Sequence, residues 1–129
     1  MKVKDARKTL EALQGLMSKK LPIKMAFAVQ KNEKKIREVV EFADKRQNDI
    51  VEKNAKKDDK GEMIPSEDGK GILIEDREAF ITEMNELVET DMPVELDKVA
   101  MSDIERCDED RFESLSPKEL SALECMIEE

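Results

Sequence analysis

Between Pro22 and Gly61 the chain carries neither glycine nor proline. That stretch constrains the fold more than any other, because nothing in it interrupts a helix. Pro22 suits a first helical turn. Ala26, Val29, Ile36, Val40, Ala43 and Ile50 then recur at alternating spacings of three and four. The same register passes through Glu33, Gln47 and Asn54, so the apolar seam is interrupted. Val39, Phe42 and Val51 widen it, which suits a face packed against more than one neighbour. The spacing predicts one helix from Pro22 to Asp58, roughly 50 Å long. Helices of that kind need partners along their length.

A shorter first helix precedes it. Val3, Ala6, Leu10, Leu13 and Met17 repeat at helical spacing. The brief connection through Leu21 makes the two helices an antiparallel hairpin over residues 3–58. The first helix is too short to cover the second beyond about Val40, by about 1.5 Å per residue. Val40, Phe42, Ala43, Ile50 and Val51 are therefore expected to meet C-terminal elements or a second copy at an oligomer interface.

The remainder is mixed. Asp68-Gly69 lies between apolar runs and predicts a β-hairpin within residues 62–99. Pro65 confines its first strand to an edge. Asp76 is a helix N-cap, and Phe80, Ile81, Met84, Leu87 and Val88 give the following helix its apolar face. Met92 to Leu96 alternates and predicts a third strand. Residues 102–114 read as an acidic loop or a weak helical turn. Ser116-Pro117-Lys118-Glu119 is a capping box opening a last helix over 116–128, whose apolar face is Leu120, Leu123 and Ile127, with Met126 a further candidate. The expected fold is α+β, mainly α, in one domain of 129 residues. It combines a helical hairpin, a β-hairpin or three-stranded sheet, and two further short helices.

Charge divides the chain. Residues 1–60 hold seventeen Lys and Arg against ten Asp and Glu; residues 61–129 hold six against twenty-two. Net charges of +7 and −16 combine to the chain's −9. Two halves of opposite sign suit each other, within one chain or between chains. Alternatively the basic half binds an anion, or the acidic half mimics one.

Chemistry is bounded by absence. With no histidine, His-based acid–base catalysis, Ser-His triads and His-containing zinc sites are excluded. No glycine-rich phosphate loop occurs. Asp58-Asp59-Lys60-Gly61 lacks the alternating ligands and distal glutamate of a calcium loop. Asp108-Glu109-Asp110 reads as solvated. Cys107 and Cys125 have no metal-type spacing; Cys125 reads as a buried structural thiol. No enzyme activity, metal or cofactor is expected. The total charge argues against duplex nucleic acid. No apolar run suits a membrane span or a leader, so a cytoplasmic protein with reduced cysteines is expected. The one anion site the sequence suggests is the interhelical corner. Lys19, Lys20 and Lys24 gather there at the long helix's N-terminus, where the dipole favours negative charge, and Lys34, Lys35 and Arg37 follow. They form either an ordinary solvated surface, a pocket for a phosphate-bearing ligand, or a contact for a neighbouring subunit's acidic half.

A resemblance adds an expectation. Lys20-Leu21-Pro22 before a long charged helix, Asp58-Asp59-Lys60-Gly61, the Asp68-Gly69 turn, the helix from Asp76 to Leu87, and Leu115-Ser116-Pro117-Lys118-Glu119-Leu120 follow in order. That order resembles small proteins of Gram-positive bacteriophages and prophages, over most of the chain. Its motifs are structural, and no catalytic residue is carried over. The resemblance implies a phage accessory protein in the host cytoplasm. Such proteins disarm a host defence by covering a host protein or sequestering a nucleotide signal. The alternative is a virion-assembly or tail-associated chaperone.

Overall fold

A computed structural model describes residues 1–128. Five α-helices dominate it: α1 Val3–Leu16, α2 Ile23–Asn54, α3 Arg77–Glu89, α4 Met101–Arg106 and α5 Pro117–Leu123. The strands are β1 Val99–Ala100 and β2 Ile127–Glu128, joined in a two-stranded parallel sheet. The chain is thus α+β and mainly α.

The long helix forms but stops at Asn54, short of Asp58. Ala55 turns extended, and the Asn54 amide donates back to the Ile50 carbonyl. The Lys56 N–H pairs with the Leu73 carbonyl instead of continuing the helix. The charged run 56–60 offers no apolar face to reward another helical turn, so tertiary pairing wins.

The main core lies on the first two-thirds of α2. Met25, Ala28, Val29, Ile36 and Val39 meet Ala6, Leu13 and Leu16 of α1. Val99, Ile104, Cys107, Leu123 and Met126 close over them from the C-terminal third. Leu16 takes the position expected of Met17, which is 46% exposed at the helix C-cap. Ala26 faces outward, and Met25 and Ala28 begin the seam in its place. Arg7 ties α1 to α2 by donating to Asp44 and Gln47 at 3.2 and 3.0 Å.

Past Val40, α2 is covered by the chain's own α3. Lys53 pairs with Glu83 at 3.0 Å, and the Asn54 amide reaches the same carboxylate. The cover is thin, since no residue of α3 is fully buried. Of the residues expected at an oligomer interface, Ala43 is fully buried within the chain. Val40, Ile50 and Val51 are half-buried. Phe42 is 44% exposed, with the Arg46 guanidinium over its ring at 5.2 Å.

The expected β region is sparser than its sequence pattern. Pro65 and Ile72 bridge antiparallel around a turn where Gly69 has φ 70°. Residues 55–57 add bridges to Met63 and Ile74. None of these grows into a strand among the described residues, because the ladder is broken by the turns at Gly61 and Gly69. Residues 92–96 do not join a three-stranded sheet; Met92 pairs with the Met1 backbone, and 93–96 belong to no helix or strand. The expected acidic loop contains α4, with Ile104 as its buried anchor. The last helix ends at Leu123, not at 128. A 3-10 turn then swings Met126 into the core and sends Ile127 into β2 beside Val99.

Candidate ligand-binding cleft

An open cleft of about 830 Å³ forms where the start of α2 meets β1, α4 and the segment after it. Ile23, Lys24 and Met25 of α2 form one wall. Pro22 caps α2 with no side-chain hydrogen bond, and the first turn holds no acidic residue. The N–H groups of Ile23, Lys24 and Met25 have no partner among the described residues. The positive end of a 32-residue helix therefore lies at the cleft without a side-chain cap.

The opposite walls carry Lys98, Arg106 and Arg111 beside Phe112. The two guanidiniums lie 5.4 and 5.0 Å from the Phe112 ring centroid. Such cation–π contacts hold long side chains in place without neutralising them. Asp103 and Glu128 also line the cleft. Arg106 contacts Asp103 at 3.4 Å, and Arg111 donates to Glu109 at 3.0 Å. Lys24 and Lys98 have no ion pair among the described residues. Four cations against two lining carboxylates leave the cleft positive.

The lysine corner expected from sequence does not assemble. Lys24 enters the cleft. Lys19 turns away, donating to Glu119 at 2.7 Å and to the Ser114 carbonyl at 2.8 Å. Burial raises the Glu119 carboxyl, but hydrogen bonds from Lys19 and Ser116 outweigh it and hold the group below its usual range. Lys20 contributes backbone contacts to Glu113. Lys34 is exposed further along α2. Arg37 sits 3.8 Å from the buried Glu33. Lys98, Arg106, Arg111 and Phe112 were the residues missed. Their signal was the cations flanking Asp108-Glu109-Asp110, hidden by the net acidity of that segment.

Both thiols are suppressed. Burial first, then Asp108 and Asp103, pushes the Cys107 thiol up; its Sγ lies 3.6 Å from Met25 Sδ beneath the cleft. Cys125 is exposed rather than buried, because the 3-10 turn gives the core position to Met126. Desolvation still raises its thiol. No group of three or more potential metal ligands gathers among the described residues. No described helix is long and apolar enough to cross a membrane.

In comparison with known proteins, no family model, curated protein or solved structure matches the chain.

Proposed function

We propose that the protein is a non-enzymatic binder of a phosphorylated small ligand of the nucleotide class, held in the α2 cleft. One observation carries this reading: Lys24, Lys98, Arg106 and Arg111 converge beside Phe112 at the uncapped N-terminus of α2. Phosphate oxygens fit free helix N–H groups and flanking cations. Planar guanidiniums suit bidentate phosphate contacts and stack on flat rings. The biological role we propose is that of a phage-type accessory protein in the host cytoplasm, withholding a nucleotide signal from an antiviral defence. Self-association through the thinly covered α2–α3 lobe belongs to the same proposal. It is supported by the exposure of Phe42 and of Ile81, which is 57% exposed.

Calorimetric titration with a panel of cyclic dinucleotides and linear nucleotides tests the reading. A bound member at about a hundredfold over its Kd should add about 2.7 kcal/mol of stability. Lys24→Glu and Lys98→Glu should each abolish that gain, and Lys20→Glu should not. A panel that leaves both heat and melting temperature unchanged refutes it. Co-purification with phage structural proteins instead would favour the assembly role.

A further inference from the structure

A second surface owes nothing to the cleft. Residues Pro93 to Leu96 follow the antiparallel bridge of Lys2 with Asp91, belong to no helix or strand, and alternate exposed and half-buried side chains. They are fastened at both ends. The Met92 N–H donates to the Met1 carbonyl at 2.8 Å, and the Met1 ammonium donates back to the Met92 carbonyl at 2.9 Å. At the other end Asn32 takes the Asp97 N–H at 2.7 Å and donates to its carbonyl at 2.8 Å. Between these clasps, the N–H groups of Val94, Glu95 and Leu96 have no partner among the described residues. The carbonyls of Pro93, Val94 and Leu96 have none either; only the Glu95 carbonyl is taken, by Lys35. The segment is thus pinned at both ends with its pairing groups open, which lowers the ordering cost of binding.

Hollows flank it on both sides. One of about 1000 Å³ lies against α1 and α5, with Ala12, Val94, Leu96 and Ala122 in its wall. Another of about 440 Å³ lies against α2, beside Val39 and Phe42. These suit alternate apolar side chains of an added strand. The rim is acidic. Asp5, Glu11, Glu38, Glu95 and Glu124 face three lysines across these hollows, and the Met1 ammonium beside them is taken by Asp91. Two of the three are engaged, Lys118 with Glu11 and Lys35 with Asp97.

We infer that residues 93–96 are a docking edge for an extended, basic segment of a partner protein, which adds as a strand and places its apolar side chains in the flanking hollows. Charge selects this occupant over a second copy. Self-pairing would bring acidic rims together, and Pro93 and Glu95 are residue types that guard an edge against its own kind.

The test is fluorescence polarisation with a short labelled peptide alternating lysine and valine. Saturable binding in the micromolar range is expected, weakening steeply with salt. N-methylation of alternate peptide bonds should weaken it by about tenfold or more, since it removes strand hydrogen bonds and keeps the charge. Glu95→Lys, at an exposed position, should do the same with an unchanged circular dichroism spectrum. A peptide alternating glutamate and valine should not bind. Equal binding of the N-methylated peptide would reduce the contact to bulk charge and overturn the inference. So would an absence of saturable binding at about 1 mM. A dimer of the free protein that Glu95→Lys dissociates would make a second copy the occupant and overturn it as well.

Discussion

Asn32 is a fully buried polar side chain in the apolar seam of α2. Its amide holds both backbone groups of Asp97 and lies 3.2 Å from Met126 Sδ. It thereby fixes the start of β1, one wall of the cleft and one end of the open edge. Asn32→Ala removes two hydrogen bonds worth about 1 kcal/mol each in net terms. It also leaves a small cavity beside Met126, which raises the expected loss to about 3 kcal/mol. For a chain of this length that corresponds to a melting temperature about 10 °C lower. Asn32→Leu refills the volume but leaves the Asp97 N–H and carbonyl unpaired, so about 2 kcal/mol of the loss should persist.

Urea and thermal unfolding of both variants give the free energies. Amide exchange gives the locality: the Asp97 N–H should be protected in the parent and exchange freely in both variants. A loss below about 0.5 kcal/mol for Asn32→Ala would refute the reasoning, since that is the range of ordinary surface changes. An Asn32→Leu variant as stable as the parent would show that volume alone matters and that the clasp contributes nothing.

Two further outcomes follow from the charge and the thin lobe. Lys4 and Lys2 hydrogen-bond Glu89 and hold its carboxyl at about 2, well below the ordinary 4.5. A depressed folded pKa contributes stability that is present above about 4.5 and lost as pH falls toward 2. Glu89→Gln should therefore melt earlier than the parent at neutral pH, and the gap should close on acidification; a gap that widens there contradicts the assignment. Self-association through the α2–α3 lobe should give a light-scattering mass that is a multiple of 14.8 kDa. Ile81→Glu should return it to the single-chain value, and a parent already at that value rules the lobe out as an interface.

Helix positions were legible in the sequence because their signals are local. The Asp76 N-cap accepts the Ala79 N–H as its residue type predicts. The Ser116–Glu119 capping box forms in full. The Val29–Ile36–Ala43 register lies buried as the spacing requires. The failures are long-range. Ile127 has the right spacing for α5, yet pairing with Val99 outweighs one more helical turn. Met92–Leu96 alternates like a strand, but no residue pattern states whether a neighbour arrives. The cleft was illegible for the same reason. Lys24 and Arg111 are far apart in sequence, and only the packing of α4 onto α2 brings them to one cleft.

The division of charge also changes meaning once the chain is folded. Met1, Lys2 and Lys4 reach Asp91 and Glu89; Lys19 reaches Glu119, Lys35 reaches Asp97, and Lys53 reaches Glu83. The basic half is thus matched by the acidic half within one chain, so the asymmetry by itself no longer requires a partner. Exposed pairs of this kind add little stability each. Their larger effect is selective, because they consume charge where the halves meet and leave it uncompensated elsewhere. The surplus cations gather at the start of α2, and Glu38, Glu95 and Glu124, which have no ion pair among the described residues, gather at the hollows beside residues 93–96. Two unlike partners, one anionic and one basic, are what such a residual pattern would recruit.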